Sequence, residues 1–218
     1  METNDNMKNS ITDFKPQAVI IDAGEFPTSP IALQQMEGVD KIVCCDGAAN
    51  SYLSHPGRRV WRIVGDCDSL SPDILRDYAA IVRRIPDQET NDQTKAVSYL
   101  AERGIRRIAI IGATGRREDH TLGNITLLPT YLTEHHVDAR IFTDFGVFIP
   151  CIDTRTFHCP KATQVSIFNF GASEIRGSGL RYPLRDFDQL WQGTLNQTTD
   201  TSFTIHAKGT YMVFINYR

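Results

Sequence analysis

Six short apolar runs in the first two thirds of the chain alternate with segments of helical pattern, and this alternation restricts the fold more than any other feature. The runs read QAVIID, KIVCCD, WRIVGD, AIVRRIP, RRIAIIGATG and DARIFTD. Nearly continuous Val/Ile runs are typical of strands buried on both faces. A helix start at Ser71–Pro72 and helical patterns over 91–104 and 119–136 separate them, and Pro129 must kink or break the last helix. Strand–helix alternation predicts an open, mostly parallel α/β sheet.

The last third of the chain, after about residue 146, has a different pattern. Its segments RTFHC, QVSIFNF, SEIRGS, SFTIHAK and TYMVFINYR are short, alternating and rich in Thr, Phe, Ile and Val. Alternation with a period of two, interrupted by Gly, Asn and Asp, predicts a small antiparallel, all-β sandwich. We therefore expect a flexible polar tail over 1–15, an α/β domain over 16–146 and a β-sandwich domain over 147–218.

Composition argues against several classes of protein. The 218 residues carry a net charge of −3. The chain therefore lacks the overall positive charge that is typical of nucleic-acid-binding proteins. No apolar run approaches about 18 residues, which argues against a membrane-spanning helix. The five cysteines are odd in number and form no Cys-x-x-Cys pattern, so neither a disulfide framework nor a zinc ribbon is indicated. A reducing, cytoplasmic location is the simplest expectation.

Four polar clusters follow predicted strands or begin predicted helices, and in such sheets ligands bind at the carboxyl ends of the strands. The clusters are CDGAAN (45–50), GDCDS (65–69), DQETNDQTKA (87–96) and GATGRREDHTLGN (112–124). Taken singly, each has a purely structural interpretation. Asp46 before a glycine is often only a turn residue. Asp92 and Lys95, three residues apart, suit a surface ion pair, and His120 suits a hydrogen-bonded structural role.

The spacing of Asp66 and Asp68 is the most unusual local feature. Residues i and i+2 of an extended segment point to the same side, and two carboxylates that close repel unless a proton, a cation or a turn intervenes. Without a cation, one of the two is expected to have a raised pKa. Cys67, the residue between them, is expected to point into the core.

Together the clusters indicate phosphate chemistry on a metal–nucleotide complex. A glycine-rich turn that opens a helix favours anions, and hard carboxylate oxygens bind Mg²⁺. Lys95 and Arg117 suit phosphate oxygens as a point charge and a planar fork. The patterns G-x-x-x-x-G-K-[ST] and, after the first strand, G-x-G-x-x-G are absent, so a nucleotide site here would be of neither common type.

In order and spacing the four clusters resemble the thiamine pyrophosphokinase (thiamine diphosphokinase) family. Its patterns are A-D-G-G-A-N, G-D-x-D-S, D-Q-x-x-T-D-x-x-K-A and G-x-x-G-G-R-x-D-H-x-x-x-N. GSGLRYPL (177–184) is similar to the family's G-L-x-W-x-L segment, and GTLNQ (193–197) to its G-T-S-N-E. The resemblance covers almost the whole chain after the N-terminal tail.

The resemblance implies an ATP-binding α/β domain and a β-sandwich domain that serves thiamine binding and dimerisation. It implies a homodimer with the active site at the subunit interface. The implied reaction transfers the pyrophosphoryl group of ATP to the hydroxyl of thiamine, giving thiamine diphosphate and AMP, and it requires Mg²⁺.

Site residues are carried over from the family by position. Those matching catalytic positions are Asp66, Asp68, Asp92 and Lys95. Those matching metal positions are Asp46, Asp66, Asp68 and Asp92. Those matching the ATP side are Asp46, Asn50, Gly112, Gly115, Arg117, Asp119, His120 and Asn124. Those matching the thiamine side are Gln88, Asp92, Tyr182, Leu195 and Asn196.

Three departures from the family patterns bear on the function. Arg116 replaces the second glycine of the G-G-R pattern, Tyr182 replaces the tryptophan that stacks on thiamine, and Leu195 replaces a serine. They leave two alternatives open. One is an enzyme of related chemistry on another alcohol, such as a thiamine-like or pterin compound. The other is a non-catalytic thiamine or nucleotide sensor.

Overall fold

The computed structural model of the chain describes residues 10–217, which divide into two compact units. The first, here called the α/β unit, is Pro16–Asp144. The second, the β unit, comprises residues 10–15 and 145–217 within the described range. The division after Asp144 lies two residues before the boundary expected from the change in sequence pattern.

Six parallel strands form the sheet of the α/β unit. They are β1 (Ala18–Ile21), β2 (Ile42–Cys45), β3 (Arg62–Gly65), β4 (Val82–Arg84), β5 (Arg107–Ile111) and β6 (Asp138–Phe142). Hydrogen bonds join them in the order β6-β5-β1-β2-β3-β4, and every pair is parallel. All residues of β1 and β2 are buried, as expected for central strands covered on both faces. The predicted mostly parallel α/β sheet is confirmed.

Six short helices connect these strands. They are α1 (Pro30–Gln34), α2 (Ala48–Leu53), α3 (Pro72–Asp77), α4 (Asp92–Ala101), α5 (Glu118–Thr126) and α6 (Leu128–Thr133). The Ser71 hydroxyl caps α3 by accepting the Ile74 N–H at 3.3 Å, as its position predicts. The last helical segment breaks into α5 and α6 one residue before Leu128–Pro129. Within residues 10–217 no helix has the length and apolar character needed to cross a bilayer.

Seven antiparallel strands form the β unit. They are β7 (Gly146–Ile152), β8 (Arg155–His158), β9 (Gln164–Asn169), β10 (Ser173–Ser178), β11 (Asn196–Gln197), β12 (Ser202–Lys208) and β13 (Thr210–Asn216). One group is ordered β11-β9-β13-β7 and the other β10-β12-β8. Opposed aromatic rings reinforce the pairing: Phe148 and Phe214 lie 4.5 Å apart, and Phe157 and Phe203 lie 4.9 Å apart. The predicted antiparallel, sandwich-like β part is confirmed.

Residues 10–15 differ from the flexible tail expected over 1–15. The Ser10 N–H donates to the His158 carbonyl at 2.8 Å, and the Ser10 hydroxyl accepts the His158 N–H at 2.8 Å. Ile11 and Phe14 are buried. Apolar burial and pairing at the end of β8 therefore hold this segment to the β unit. The expectation for residues 1–9 lies outside the described residues.

Candidate active site

The strand ends of the α/β unit open into a cleft of about 360 Å³. Because parallel strands all end at the same edge, loops that are distant in sequence meet there. The polar residues that line the cleft are Asp22, Asp46, Asp66, Ser69, Gln88, Thr90, Asn91, Asp92, Gln93, Lys95, His120 and Asn124. Residues from all four polar clusters of the sequence are therefore brought into one cleft.

Three carboxylates at one side of the cleft form a cation-binding arrangement. Asp46, Asp66 and Asp68 each place a carboxylate oxygen within 4.8 Å of the other two. Asp46 Oδ2 accepts the Ser69 N–H at 3.2 Å, whereas its buried Oδ1 has no hydrogen-bond partner among residues 10–217. Burial is the main cause that raises the pKa of Asp46 to about 6, and the surrounding carboxylates add to it. Clustered hard oxygens, one of them unsatisfied, fit a divalent cation such as Mg²⁺.

The GDCDS turn differs from the extended geometry expected of it. Cys67 has a φ of 69°, so the chain turns there, and its half-buried side chain does not enter the core as predicted. The Asp68 N–H donates to Asp66 Oδ1 at 3.3 Å, and Gln88 Nε2 donates to Asp66 Oδ2 at 3.1 Å. These two donors lower the pKa of Asp66. Asp66 is therefore not the carboxyl with the raised pKa that was expected at this turn, and the neighbouring carboxyl whose pKa is raised is Asp46.

Lys95 is the buried cation of the cleft. It lies on α4 with 4% of its side chain exposed, and its Nζ lies 3.1 Å from Asp92 Oδ1 and 3.8 Å from Asp66 Oδ2. Burial alone would lower the pKa of Lys95, but the bond to Asp92 and the charge of Asp66 raise it. The i, i+3 pair expected from the sequence is thus present, but it lies in the cleft and not on an open surface.

Gly65 allows the carboxylates of Asp46 and Asp92 to approach each other. A Cβ atom at this position would lie 2.6 Å from Asp46 Cβ and 3.2 Å from Asp92 Oδ1. The first distance is shorter than real Cβ contacts allow, so a side chain here would separate the two aspartates. The glycine of the G-D-C-D-S cluster therefore has a steric role.

Asn50 holds the loop after β3 against α2. Its Nδ2 donates to the Ser69 carbonyl at 2.7 Å, and its Oδ1 accepts the Ser71 N–H at 3.0 Å. The side chain thus replaces two backbone hydrogen bonds that a loop lacks. From the sequence we expected Asn50 on the ATP side; its contacts within the protein position the loop that carries Asp66 and Asp68.

The glycine-rich turn after β5 borders a second cleft of about 290 Å³. Its lining residues are Ala23, Gly24, Ala113, Thr114, Arg116, Arg117, His120, Thr121 and Asn124. His120 and Asn124 also line the first cleft. Gly112 and Gly115 shape the turn with φ values of 74° and 93°. The expected nucleotide-side residues of this cluster are therefore grouped around one turn and the start of α5.

Arg117 and Asp119 form an exposed ion pair at the start of α5. Arg117 Nη2 lies 2.5 Å from Asp119 Oδ2, and Arg117 Nε lies 3.1 Å from Asp119 Oδ1. The guanidinium is the main cause that lowers the pKa of Asp119 to about 2. Arg116, which departs from the family pattern, donates to the Ala23 carbonyl at 3.1 Å and also lines the second cleft. Two guanidinium groups therefore border this cleft.

Asp22 and Gln93 line the first cleft but were not selected from the sequence. Both carboxylate oxygens of Asp22 and the Oε1 of Gln93 are buried and have no hydrogen-bond partner among residues 10–217. Burial is the main cause that raises the pKa of Asp22 to about 7. The run QAVIID ends in Asp as KIVCCD does, and that parallel is the signal that could have identified Asp22.

The expected thiamine-side residues Tyr182, Leu195 and Asn196 lie in the β unit. Asn196 is buried, and its side chain accepts the Tyr182 N–H at 3.1 Å and donates to the Tyr182 carbonyl at 2.8 Å. Tyr182 and Leu195 are 53% and 66% exposed, and Leu195 has a φ of 60°. Trp191, which the sequence reasoning did not select, is 70% exposed. The β unit therefore exposes aromatic and apolar side chains, and Asn196 fixes the backbone at Tyr182.

Two protein-family models match the chain. The model described as "Thiamin pyrophosphokinase, catalytic domain" matches residues 33–142, and "Thiamin pyrophosphokinase, substrate-binding domain" matches residues 146–214. Thiamine pyrophosphokinase 1 of Oryza sativa subsp. japonica is 34% identical over 184 residues, which cover 71% of this chain and 69% of that protein. Thiamine pyrophosphokinase 2 of Arabidopsis thaliana is 30% identical over 113 residues, 41% of this chain and 42% of that protein.

Solved structures confirm the fold. Yeast thiamin pyrophosphokinase superposes with a TM-score of 0.76 at 17% identity, covering 94% of this chain and 88% of that one. Thiamin pyrophosphokinase from Geobacillus thermodenitrificans superposes with a TM-score of 0.73 at 24% identity, covering 92% and 97%. Identities this low establish likeness of fold.

Proposed function

The chain belongs to the thiamine pyrophosphokinase family, and we propose that it transfers the diphosphate group of ATP to the hydroxyl of thiamine. The products are thiamine diphosphate and AMP. The observation that carries the proposal is the convergence of the family's acidic and basic positions in one cleft of the α/β unit. The family match does not favour the two alternatives, action on another alcohol and a non-catalytic sensor.

The acidic residues of the cleft are proposed to hold Mg²⁺ with the ATP phosphates. Asp46, Asp66 and Asp68 have the closest carboxylate oxygens, and Asp92 lies beside them across Gly65. When bound, the ion neutralises phosphate charge and draws electron density from the phosphorus under attack. The unsatisfied Oδ1 of Asp46 supports its place among the ligands.

The reaction forms a bond between the thiamine oxygen and the β-phosphorus while the bond from that phosphorus to the AMP oxygen breaks. We assign Asp92 to orient the thiamine hydroxyl and accept its proton, with Asp68 as the alternative base. Lys95, whose Nζ lies 3.1 Å from Asp92 Oδ1, is assigned to stabilise the negative charge on the transferring group and on the departing AMP. The glycine-rich turn, with Arg117, His120 and Asn124, is assigned to the nucleotide.

Gln88 and the β-unit residues Tyr182, Leu195 and Asn196 are assigned to thiamine. The exposed ring of Tyr182 suits the cationic thiazolium, because an aromatic face attracts cations. By resemblance to the family, we propose a homodimer in which thiamine binds at the subunit interface. The exposed aromatic and apolar side chains of the β unit support an interface there.

The activity is tested by incubating the purified protein with ATP, Mg²⁺ and thiamine and separating AMP and thiamine diphosphate by chromatography. Asp68→Asn and Asp92→Asn should each reduce kcat at least about 100-fold because each removes a charge from the reacting centre. Asp73→Asn is the matched control, since Asp73 is an exposed carboxylate paired with Arg76 on α3. Absence of thiamine-dependent AMP from the wild type, or wild-type turnover in both cleft variants, would overturn the assignment.

The shared site of a dimer is tested by mixing two inactive variants. Asp92→Asn damages the α/β unit and Tyr182→Ala the β unit, so one of the two sites in a mixed dimer would contain neither change. After unfolding and refolding together, about a quarter of wild-type activity should return. A monomer by light scattering, or no recovery in refolded mixed dimers, would contradict an interfacial site.

A cytoplasmic location remains part of the proposal. Its support is that all five cysteines, Cys44, Cys45, Cys67, Cys151 and Cys159, are free thiols. Fractionation of the source cells with an antibody against the protein would test it, and recovery outside the cytoplasmic fraction would refute it.

A further inference from the structure

Asp22 follows β1 directly and lines the first cleft. Its N–H donates to the Ile111 carbonyl at 2.8 Å, which continues the pairing of β1 with β5 and fixes the backbone here. The side chain is 7% exposed and lines the cleft. Both carboxylate oxygens lack a hydrogen-bond partner among residues 10–217.

The side chains around Asp22 offer it at most one weak donor, the Cys45 thiol, whose interaction lowers the pKa of Asp22 by less than burial raises it. The Cys45 thiol, also in the cleft, donates to the Asp92 carbonyl at 3.5 Å. Lys95, the lysine that lines the cleft, is directed at Asp92 and Asp66. Burying a carboxylate without a partner is unfavourable by several kcal/mol, and buried polar groups in native proteins are almost always paired. The position is therefore costly in the protein alone.

Asp22 lies outside the three-carboxylate cluster. The aspartates whose oxygens lie within 4.8 Å of one another are Asp46, Asp66 and Asp68. Another acceptor of the same cleft without a donor among residues 10–217, Oε1 of Gln93, lies at the start of α4. The Gln93 Nε2 donates to the Asn124 carbonyl at 3.1 Å and to the Tyr131 hydroxyl at 3.2 Å, which holds that amide in place. Asp22 and Gln93 thus give the cleft acceptor atoms that have no donor among residues 10–217.

We propose that Asp22 is a substrate-binding residue that accepts a hydrogen bond from a hydroxyl or amino group of a substrate in the cleft. The inference rests on the proposed function, because ATP and thiamine each carry both kinds of donor. A donor from the substrate would satisfy a carboxylate that accepts no hydrogen bond from residues 10–217, and this bond would add to the affinity for the substrate.

The test measures binding without turnover. Wild type, Asp22→Asn and Asp22→Ala are titrated calorimetrically with α,β-methylene-ATP plus Mg²⁺ and, separately, with thiamine. The bond that the reaction would break is not cleavable in this analogue. We expect Kd for one of the two probes to rise at least about tenfold in Asp22→Ala, as for the loss of a hydrogen bond to a charged group. The probe that loses affinity identifies the donor.

Stability provides the second readout. If Asp22 binds substrate, the ligand-free Asp22→Asn variant should melt at the wild-type temperature or above at pH 8, where the substitution removes a buried charge. Asp138→Asn is the control: Asp138 is paired with Arg140 on β6 at 2.7 Å, so its loss should lower the melting temperature and leave both Kd values unchanged. A merely structural role for Asp22 predicts the control's pattern.

Three results would overturn the inference. They are Kd values within twofold of wild type for both probes in Asp22→Ala, the control's pattern in Asp22→Asn, and a wild type that binds neither probe. Failure of the proposed function is seen separately, as absence of thiamine-dependent AMP from a wild type that still binds α,β-methylene-ATP. In that case the affinity of Asp22→Ala for the analogue still decides the role of Asp22.

Discussion

The ligand-free protein should become less stable as the pH rises from 5 to 8, because Asp22 must then ionise in a buried position. Burial is the main cause that raises the pKa of Asp22 to about 7, from 3.8 for an ordinary aspartate. The native state therefore holds this proton more tightly than the unfolded chain does. The resulting stabilisation is complete below pH 3.8 and is lost as the pH rises through 7.

The two pKa values set the size of the effect. At pH 5, about 2 pH units below the pKa of native Asp22, the native carboxyl is protonated, whereas the unfolded carboxyl is already ionised. One unit corresponds to about 1.36 kcal/mol, so roughly 2.7 kcal/mol of unfolding free energy should disappear between pH 5 and pH 8 through this group. Asp46, whose pKa is raised to about 6, adds a loss in the same direction. The contribution of Asp22 must therefore be separated by a variant.

Urea unfolding of wild type and Asp22→Asn at pH 5, 6, 7 and 8, in a chelator and without nucleotide, makes that separation. The asparagine does not titrate, so its stability relative to wild type should increase by roughly 2.7 kcal/mol over this range. Asp46 titrates in both proteins and cancels to first order. A difference between the two proteins that stays constant within about 0.5 kcal/mol would refute the reasoning from burial.

Three further perturbations test the geometry around the clefts. Asn50→Ala should lower the unfolding free energy by about 1–3 kcal/mol and reduce kcat, because the Ser69 carbonyl loses its 2.7 Å donor; wild-type melting and turnover would contradict this. Gly24→Ala should weaken α,β-methylene-ATP binding, since its Cβ would lie 2.4 Å from the Gly112 carbonyl oxygen and push the two loops apart; unchanged calorimetric Kd would count against it. Tyr182→Trp should lower KM for thiamine about two- to fivefold by enlarging the aromatic platform, and a steady-state titration that finds KM unchanged would remove Tyr182 from the thiamine site.

Much of the site could be read from local patterns because each cluster lies where a strand ends. CDGAAN, GDCDS and DQETNDQTKA each follow an apolar run, and the parallel sheet brings all three to one edge. The i, i+3 relation of Asp92 and Lys95 likewise needs only a helix. Whether that pair is buried, however, depends on β3 and its neighbours, which local spacing does not describe.

Local sequence was enough to predict the α/β and β parts, the cap at Ser71, the break near Pro129 and the acidic clusters. These follow from hydrophobic period, turn chemistry and strand-end position, which are properties of short segments. Folding, in contrast, raises the pKa of Asp46, lowers that of Asp66 and buries the Asp22 carboxylate where no group of residues 10–217 donates a hydrogen bond to it. Desolvation and hydrogen bonding depend on atoms supplied by distant parts of the chain, so the electrostatics of the cleft were set by the packing of its strands.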